Sequence, residues 1–498
     1  MHTYMNSKNK LVVFIYPGHE NLAIEYLSSY LKKEGFQTQL ILDPIIFNEP
    51  GFLNISLLNN FFDIKTKIIN QAIKNSPLLI ALSVVSDNFM WAISISSEIK
   101  KKSNIPIVIG GVHPTAQIEE CLQTNLFDFV CFGEGEISLV ELCNQIYNES
   151  YNFNIPNIAF KKNNSIHKGI IRPLINLDDL PIMPDKDLYY KPYPLFNDGY
   201  IISTSRGCPY RCSYCNNSMY WELYKNTGRY YRKRKVNHVI EELKLAKSKY
   251  NPSHIFFLDE SFNADTDWLK EFLNVYKEII QIPFYCFLLS DLSTRDSIRL
   301  LAESGCYKIQ FGFQTADENL RRNILNRYSS NESVKNLIKW CKEFNIFTAA
   351  DTIMKIPGEN ETIMYNTAEF YTKHTPDSIE TFWMRYYPGT KISSLINPYL
   401  INSSRLINQN KGITIESDTA TYLEKKVSTF LNWIPFLPSK LAYWIVSKKY
   451  INFFPRFPSI FLIIFKRILK NTKYDLNVTR TYKRYLFFIR KHFTFNIT

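Results

Sequence analysis

The chain has 498 residues, too many for one hydrophobic core, so two or three domains are expected. Hydrophobic residues make up 45% and charged residues 21%, which excludes a disordered or fibrous chain. The net charge is +13, and all of it resides in residues 401–498, where seventeen Lys and Arg face four Asp and Glu.

The N-terminal stretch MHTYMNSKNK lacks the apolar core of a secretory signal. The longest apolar run, SIFLIIF at 459–465, is far short of the roughly 18 residues of a membrane-spanning helix. Nine cysteines, an odd number without paired spacing, point to a reducing cytoplasm. Six of them (Cys121, Cys131, Cys143, Cys286, Cys306 and Cys341) stand singly among apolar residues and read as small buried hydrophobes.

In residues 1–150, KLVVFIYP (10–17), QTQLIL (37–42), LLIALSVV (78–85), PIVIGG (106–111) and FDFVCFG (127–133) read as five buried strands. Helical patterns between them, such as 20–35 and 88–102, predict an α/β, doubly wound, Rossmann-like parallel sheet. Ligands of such sheets sit at the C-terminal strand ends, which here carry PGHEN, SVVSDN, GGVHPT and GEGE. Residues 151–198 read as a linker: a polar, hairpin-like piece (151–170), then the proline- and acid-rich LDDLPIMPDKDLY (177–189). Over 199–398 the βα rhythm resumes with six strands, YIISTS, HIFFLDE, PFYCFLL, YKIQFGFQ, FTAADTIMKIPG and SIETFWMRYYPG. That pattern predicts a partial TIM-type (β/α)6 barrel with its site at the strand C-termini. Residues 399–498 read as a helical, aromatic and basic region.

Directly after the first barrel strand, RGCPYRCSYCNN (206–217) places Cys208, Cys212 and Cys215 on one loop. A structural zinc site would need a fourth Cys or His with its own tight spacing, and the nearest histidines, His238 and His254, lie in helix- and strand-like contexts. An iron–sulfur cluster accommodates the trio better, because thiolates favour it and three ligands leave one iron open.

With aromatic Tyr214 before the last cysteine, this stretch resembles the signature of the radical S-adenosylmethionine superfamily. The resemblance implies a [4Fe–4S] cluster on Cys208, Cys212 and Cys215 whose open iron chelates S-adenosylmethionine, reductive formation of a 5′-deoxyadenosyl radical, and Tyr214 shielding the cluster. It also implies a low-potential electron donor of flavodoxin or ferredoxin type. FFLDESF (256–262) resembles the family's second-strand motif, with Asp259 and Glu260 as its two acids. GCYKIQFGFQT (305–315) resembles the strand along the adenosyl group, with Gln314 where many members have Glu. DTIMKIPGENET (351–362), containing Pro357, resembles the strand and turn near the adenine, and YYPGTKI (386–392) the last strand with its Pro-Gly-Thr turn.

The segment 110–142, GGVHPTAQIEECL…DFVCFGEGEISLVEL, resembles the cobalamin-binding domain that precedes many such enzymes. On that reading Gly110 and Gly111 let the backbone approach a bulky ligand. Gly133 and Gly135 open a helix whose N-terminus faces polar ligand groups, though Glu134 and Glu136 would repel an anion. The D-x-H-x-x-G motif that supplies a cobalt-ligating histidine elsewhere is absent, leaving His19 and His113 as rim candidates or as loop and capping histidines.

The resemblance implies a methyltransferase acting on an unactivated carbon of a small or lipid-like metabolite. Its alternatives are an oxidative cyclase or other non-methylating radical enzyme, and a non-catalytic corrinoid or iron–sulfur sensor. For the basic region, one reading is a helical cap packing Trp433, Trp444 and Phe453 over the barrel with Lys and Arg solvated outside. Another is peripheral contact with the inner face of a membrane. No recognisable RNA-binding module is present, so nucleic acid is not expected as a partner.

Overall fold

The computed structural model describes residues 9–49, 53–150, 152–395, 420–455 and 476–495. The boundary expected at 398/399 and the apolar run 459–465 lie outside the described residues.

Two parallel sheets organise the chain. In the first, β1 (Leu11–Pro17), β2 (Gln37–Asp43), β5 (Leu79–Ser83), β6 (Ile107–Gly110) and β7 (Phe129–Cys131) stand in the order β2-β1-β5-β6-β7, all parallel. These are the five strands expected from the Val/Ile/Leu runs, since a strand covered by helices on both faces is apolar throughout. Two short strands, β3 (Asn48–Glu49) and β4 (Leu53–Asn54), form a separate antiparallel pair. The hairpin of β8 (Ile158–Lys162) and β9 (Ser165–Lys168) is not a free linker: β8 pairs antiparallel with β7 and extends the first sheet to seven strands.

The second sheet has the order β10 (Gly199–Ile202), β13 (His254–Phe257), β14 (Phe284–Leu288), β15 (Cys306–Gln314), β16 (Phe347–Met354) and β17 (Ser378–Trp383). All five pairings are parallel, as a partial barrel requires. Alternation along its strands divides core from interior. Ile309, Phe311 and Phe313 are buried toward the helices, whereas Lys308, Gln310 and Gly312 on the other face keep partial access. A short antiparallel pair, β11 (Ser205–Arg206) with β12 (Arg232–Lys233), sits beyond the end of β10.

The C-terminal region divides between the two sheets. Helix Tyr422–Trp433 packs on β17, and helix Ser439–Ser447 on helix Glu361–Lys373. Helix Leu476–Phe495 instead crosses to the first domain, where Tyr485 Oη accepts from Phe47 N–H at 3.1 Å and Arg484 lies 3.0 Å from His19 Nε2. The cap expected over the barrel holds for Trp433, which is buried, but Trp444 is 49% and Phe453 82% exposed. Conversely, Lys426 and Arg484, expected in solvent, are buried.

Candidate active site

The cysteine loop is held from all sides. Gly207, at φ +82°, has no room for a Cβ, which would lie 2.8 Å from Tyr230 O. Trp221 Nε1 donates to Cys208 O at 2.9 Å, Ser213 N–H to Leu325 O at 2.9 Å, and Ile392 N–H to Ser213 O at 2.9 Å. Cys215 is the N-cap of helix Asn216–Leu223, where the helix dipole favours a thiolate. Burial of the thiols pushes Cys208 up to about 12 and Cys215 up to about 11, so a bound metal group is what would deprotonate them. All three cysteines are free of disulfides. Among the described residues no three His, Cys, Asp or Glu side chains close on a single ion. The three thiols, carried on one short loop, are of the ligand type that holds an iron–sulfur cluster.

One residue beside this loop carries no sequence signal. Arg327 is buried, with Nη1 4.0 Å from Cys212 Sγ and Nη2 donating to Gly312 O at 2.9 Å. Its guanidinium also meets the Tyr214 hydroxyl, and these partners hold it firmly charged despite burial. Tyr214 itself packs with Leu320, Leu325, Ile353, Ile356 and Ile392, a cluster that includes the residue before Pro357.

The two acids of the second barrel strand separate in role. Asp259, 1% exposed, accepts from Thr204 N–H at 3.1 Å and Thr204 Oγ1 at 2.7 Å, and from Ser205 Oγ. It braces the turn that launches the cysteine loop. Glu260 points the other way, toward Asn217, and desolvation there raises its carboxyl. Asn217 in turn donates to Cys215 Sγ at 3.5 Å and accepts from Tyr230 Oη at 2.7 Å. Gln314 sits at a register break in β15 with φ +69°, a strained position for a residue other than glycine. Its buried Oε1 and the buried Nε of Arg327 have no hydrogen-bond partner. Unsatisfied polar atoms beside the thiols fit a polar cofactor such as S-adenosylmethionine.

At the first sheet's C-terminal edge the expected glycines have protein neighbours. A Cβ on Gly111 would meet Val84 O at 2.6 Å, one on Gly110 Cys131 O at 3.3 Å, and one on Gly135 Cys131 Sγ at 3.0 Å. A Cβ on Gly133 would fall 2.1 Å from Tyr224 Oη, which also accepts from Glu134 N–H at 2.7 Å. All four glycines keep partial access to solvent, with the protein close on the side where a Cβ would point. His113 lies beneath this edge, and its buried Nε2 has no hydrogen-bond partner. It is 4% exposed, its ring lies 4.1 Å from that of Phe89, and Nδ1 is 3.0 Å from Ser86 Oγ. Burial lowers it to about 4.

Glu134 and Glu136 are equally occupied. Arg206, two residues before Cys208, pairs with Glu136 at 2.5 Å and Glu134 at 3.2 Å, and Arg232 opposite it on β12 also binds Glu134. A second bridge joins Arg385, after β17, to Asp87, after β5. Large apolar side chains stay exposed near both sheets' strand ends, Val85 and Met90 after β5, Leu258 after β13 and Phe382 in β17. Exposed apolar side chains of this size are able to pack against the flat face of a macrocycle.

Comparison with known proteins gives the same division. Residues 202–371 match the Radical SAM superfamily and residues 10–143 the B12 binding domain. An uncharacterised methyltransferase of Pyrococcus horikoshii is 26% identical over 68% of this chain and 72% of its own. Cytidylyl-2-hydroxyethylphosphonate methyltransferase of Streptomyces wedmorensis is 21% identical over 68% and 69%. The anaerobic magnesium-protoporphyrin IX monomethyl ester cyclase of Cereibacter sphaeroides is 22% identical over 76% and 62%. Among solved structures, the radical S-adenosylmethionine methyltransferase TsrM of Kitasatospora setae, with cobalamin and a [4Fe–4S] cluster, superposes with a TM-score of 0.63 at 16% identity, over 77% of this chain and 74% of that one. The two domains are those that hold a [4Fe–4S] cluster with S-adenosylmethionine and a cobalamin. Residues 202–371 are thus a radical SAM domain, with a B12-binding domain at residues 10–143 ahead of it.

Proposed function

We propose that this enzyme transfers a methyl group to an unactivated carbon of a small or lipid-like metabolite. The observation that carries the reading is the locking of two strand edges against each other, one bearing three thiols and the other an exposed apolar surface. When bound, S-adenosylmethionine on the cluster supplies a hydrogen-abstracting radical, and cobalamin supplies methyl carriage. The chain's own work is positional. Cys208, Cys212 and Cys215 would hold the cluster, Gln314 and Glu260 would orient S-adenosylmethionine, and Val85, Met90, Leu258 and Phe382 would keep water from the space between the edges. A flavodoxin- or ferredoxin-type protein would deliver the electron, and a lipid-like substrate would bring the enzyme to the inner face of a membrane.

Anaerobic reconstitution with iron and sulfide, followed by reduction with S-adenosylmethionine, tests this. The expected result is 5′-deoxyadenosine, lost in Cys212→Ala, and a corrinoid absorbance spectrum in protein produced with cobalamin. A full cluster without cleavage would reduce the protein to a sensor. The likeness to the ester cyclase favours a second reading, ring closure without methyl transfer. Methyl-labelled S-adenosylmethionine separates the two, because only a methyltransferase moves label into the product.

A further inference from the structure

Helix Ser439–Ser447 buries Ala442 and Val446 against the barrel. Its other face carries Lys440, Leu441, Trp444 and Lys448, residues brought onto one stripe by the helical repeat. Lys449, at φ +57°, then turns the chain back so that Tyr450 and Phe453 stand beside the helix. The rings of Trp444 and Tyr450 are 5.2 Å apart, and those of Tyr450 and Phe453 5.9 Å. Yet the group is open to solvent: Leu441 is 44%, Trp444 49%, Tyr450 43% and Phe453 82% exposed. Self-packed aromatic rings left exposed among the described residues mark a contact surface.

The charges name its partner. Residues 437–455 hold Lys440, Lys448 and Lys449 and no acidic residue. Aromatic side chains of mixed polarity between lysines are what an anionic bilayer surface selects, with Trp and Tyr at headgroup depth, Phe deeper and ammonium groups on phosphates. No helix among the described residues is long and apolar enough to cross a membrane, so the surface offers contact rather than a span. We propose that the Trp444–Tyr450–Phe453 surface docks the enzyme on an anionic lipid bilayer. This deepens the lipid-like substrate reading and rests on it only for its purpose, since a surface-bound enzyme meets a membrane-partitioned substrate where that substrate is concentrated.

The test is co-sedimentation of the full-length protein with vesicles of phosphatidylcholine alone and of phosphatidylcholine mixed with phosphatidylglycerol. Binding is expected to the mixed vesicles and to weaken with salt. The triple variant Lys440→Glu, Lys448→Glu, Lys449→Glu should bind at least about a hundredfold more weakly, since each lysine lost at an anionic surface is worth roughly fivefold. Phe453→Ser should also weaken it, whereas Lys244→Glu with Lys270→Glu, exposed on the barrel helices, should not. Equal binding to both vesicle types, binding unchanged in the triple variant, or no binding would overturn the proposal. So would a dimer in sedimentation velocity that Phe453→Ser dissolves, because the cover would then be a second copy. Reductive cleavage of S-adenosylmethionine, measured on the same samples, should not change in these variants. Cleavage by the unaltered protein without any docking thus rejects this proposal alone, and docking of the unaltered protein without cleavage rejects only the proposed reaction.

Discussion

The barrel's cysteine edge and the first sheet's C-terminal edge face each other but are built by opposite rules. On the cysteine edge the protein fixes its polar side chains while leaving Gln314 Oε1 and Arg327 Nε open: Asp259 takes three hydrogen bonds, and Arg327 spans Cys212, Gly312 and Tyr214. On the first-sheet edge the polar groups are spent on docking, with Glu134 and Glu136 holding Arg206 and Arg232, and Val85 and Met90 are left bare. A cluster and a sulfonium cofactor need fixed ligands and fixed charges, because small displacements change their electronics. A large ring needs shape and dryness, which apolar side chains supply without fine angular control.

The largest break in that contrast is Arg327→Met. A cation about 6 Å from a cluster favours the more negative, reduced state by about 3 kcal/mol at an effective dielectric of ~20, which is on the order of 100 mV for one electron. In the reconstituted variant the midpoint, followed by electron paramagnetic resonance, should fall by about that amount, and 5′-deoxyadenosine formation should fall with it. An unchanged midpoint would mean that the guanidinium serves only the fold. Next comes the docking side, where Glu134→Gln removes a carboxylate shared by two arginines and only 20% exposed. Loss of such a pair costs about 3 kcal/mol, read as a shift in urea midpoint. Because the bond is two residues from Cys208, iron retention during desalting should also drop.

Gly133→Ala probes the same interface sterically. Its φ is +71°, and the new methyl would lie 2.1 Å from Tyr224 Oη, so a loss of about 2–3 kcal/mol is expected. Tyr224→Phe alone should cost about 1 kcal/mol by stranding Glu134 N–H. Made together, the two should cost less than their sum, since the second opens room for the first. Strict additivity would place the strain in the backbone alone.

How far the contrast can be read from sequence follows its physics. Both parallel sheets are legible, because strands covered on two faces show as unbroken runs such as LVVFIYP and LLIAL. The cysteine loop is legible because its ligands are local. Arg327 is not, since its partner Cys212 lies 115 residues away and no periodic pattern marks it. The glycines of GGVHPT and GEGE are visible as special positions, but the sequence does not say whether a ligand or Tyr224 fills the space. Glu134 looks like an obstacle to anions until Arg206 and Arg232, 72 and 98 residues away, are seen to consume its charge. Trp444 and Phe453 show the same limit: composition reveals that they are apolar, not which face of the fold leaves them open.

The smallest effect separates a buried histidine from a ligand on the rim. His113 is held at about 4 by burial, against 6.5 for a free imidazole. Above pH 6.5 it is neutral in both folded and unfolded chains and contributes no pH dependence. As pH falls from 6.5 toward 4, only the unfolded chain takes up the proton, so stability is lost; below 4 both forms are protonated and the loss stops growing. Between pH 6.5 and pH 5 this single group should remove about 2 kcal/mol. The carboxylates titrate in the same window, so the quantity to measure is the difference between the wild type and His113→Gln by urea unfolding at each pH. That difference should shrink by about the same 2 kcal/mol as the pH drops, since the glutamine variant has no proton to gain. Parallel curves would put the imidazole in water at the sheet edge, where the apolar contact of Val85 and Met90 would have to share its space with a titrating ligand.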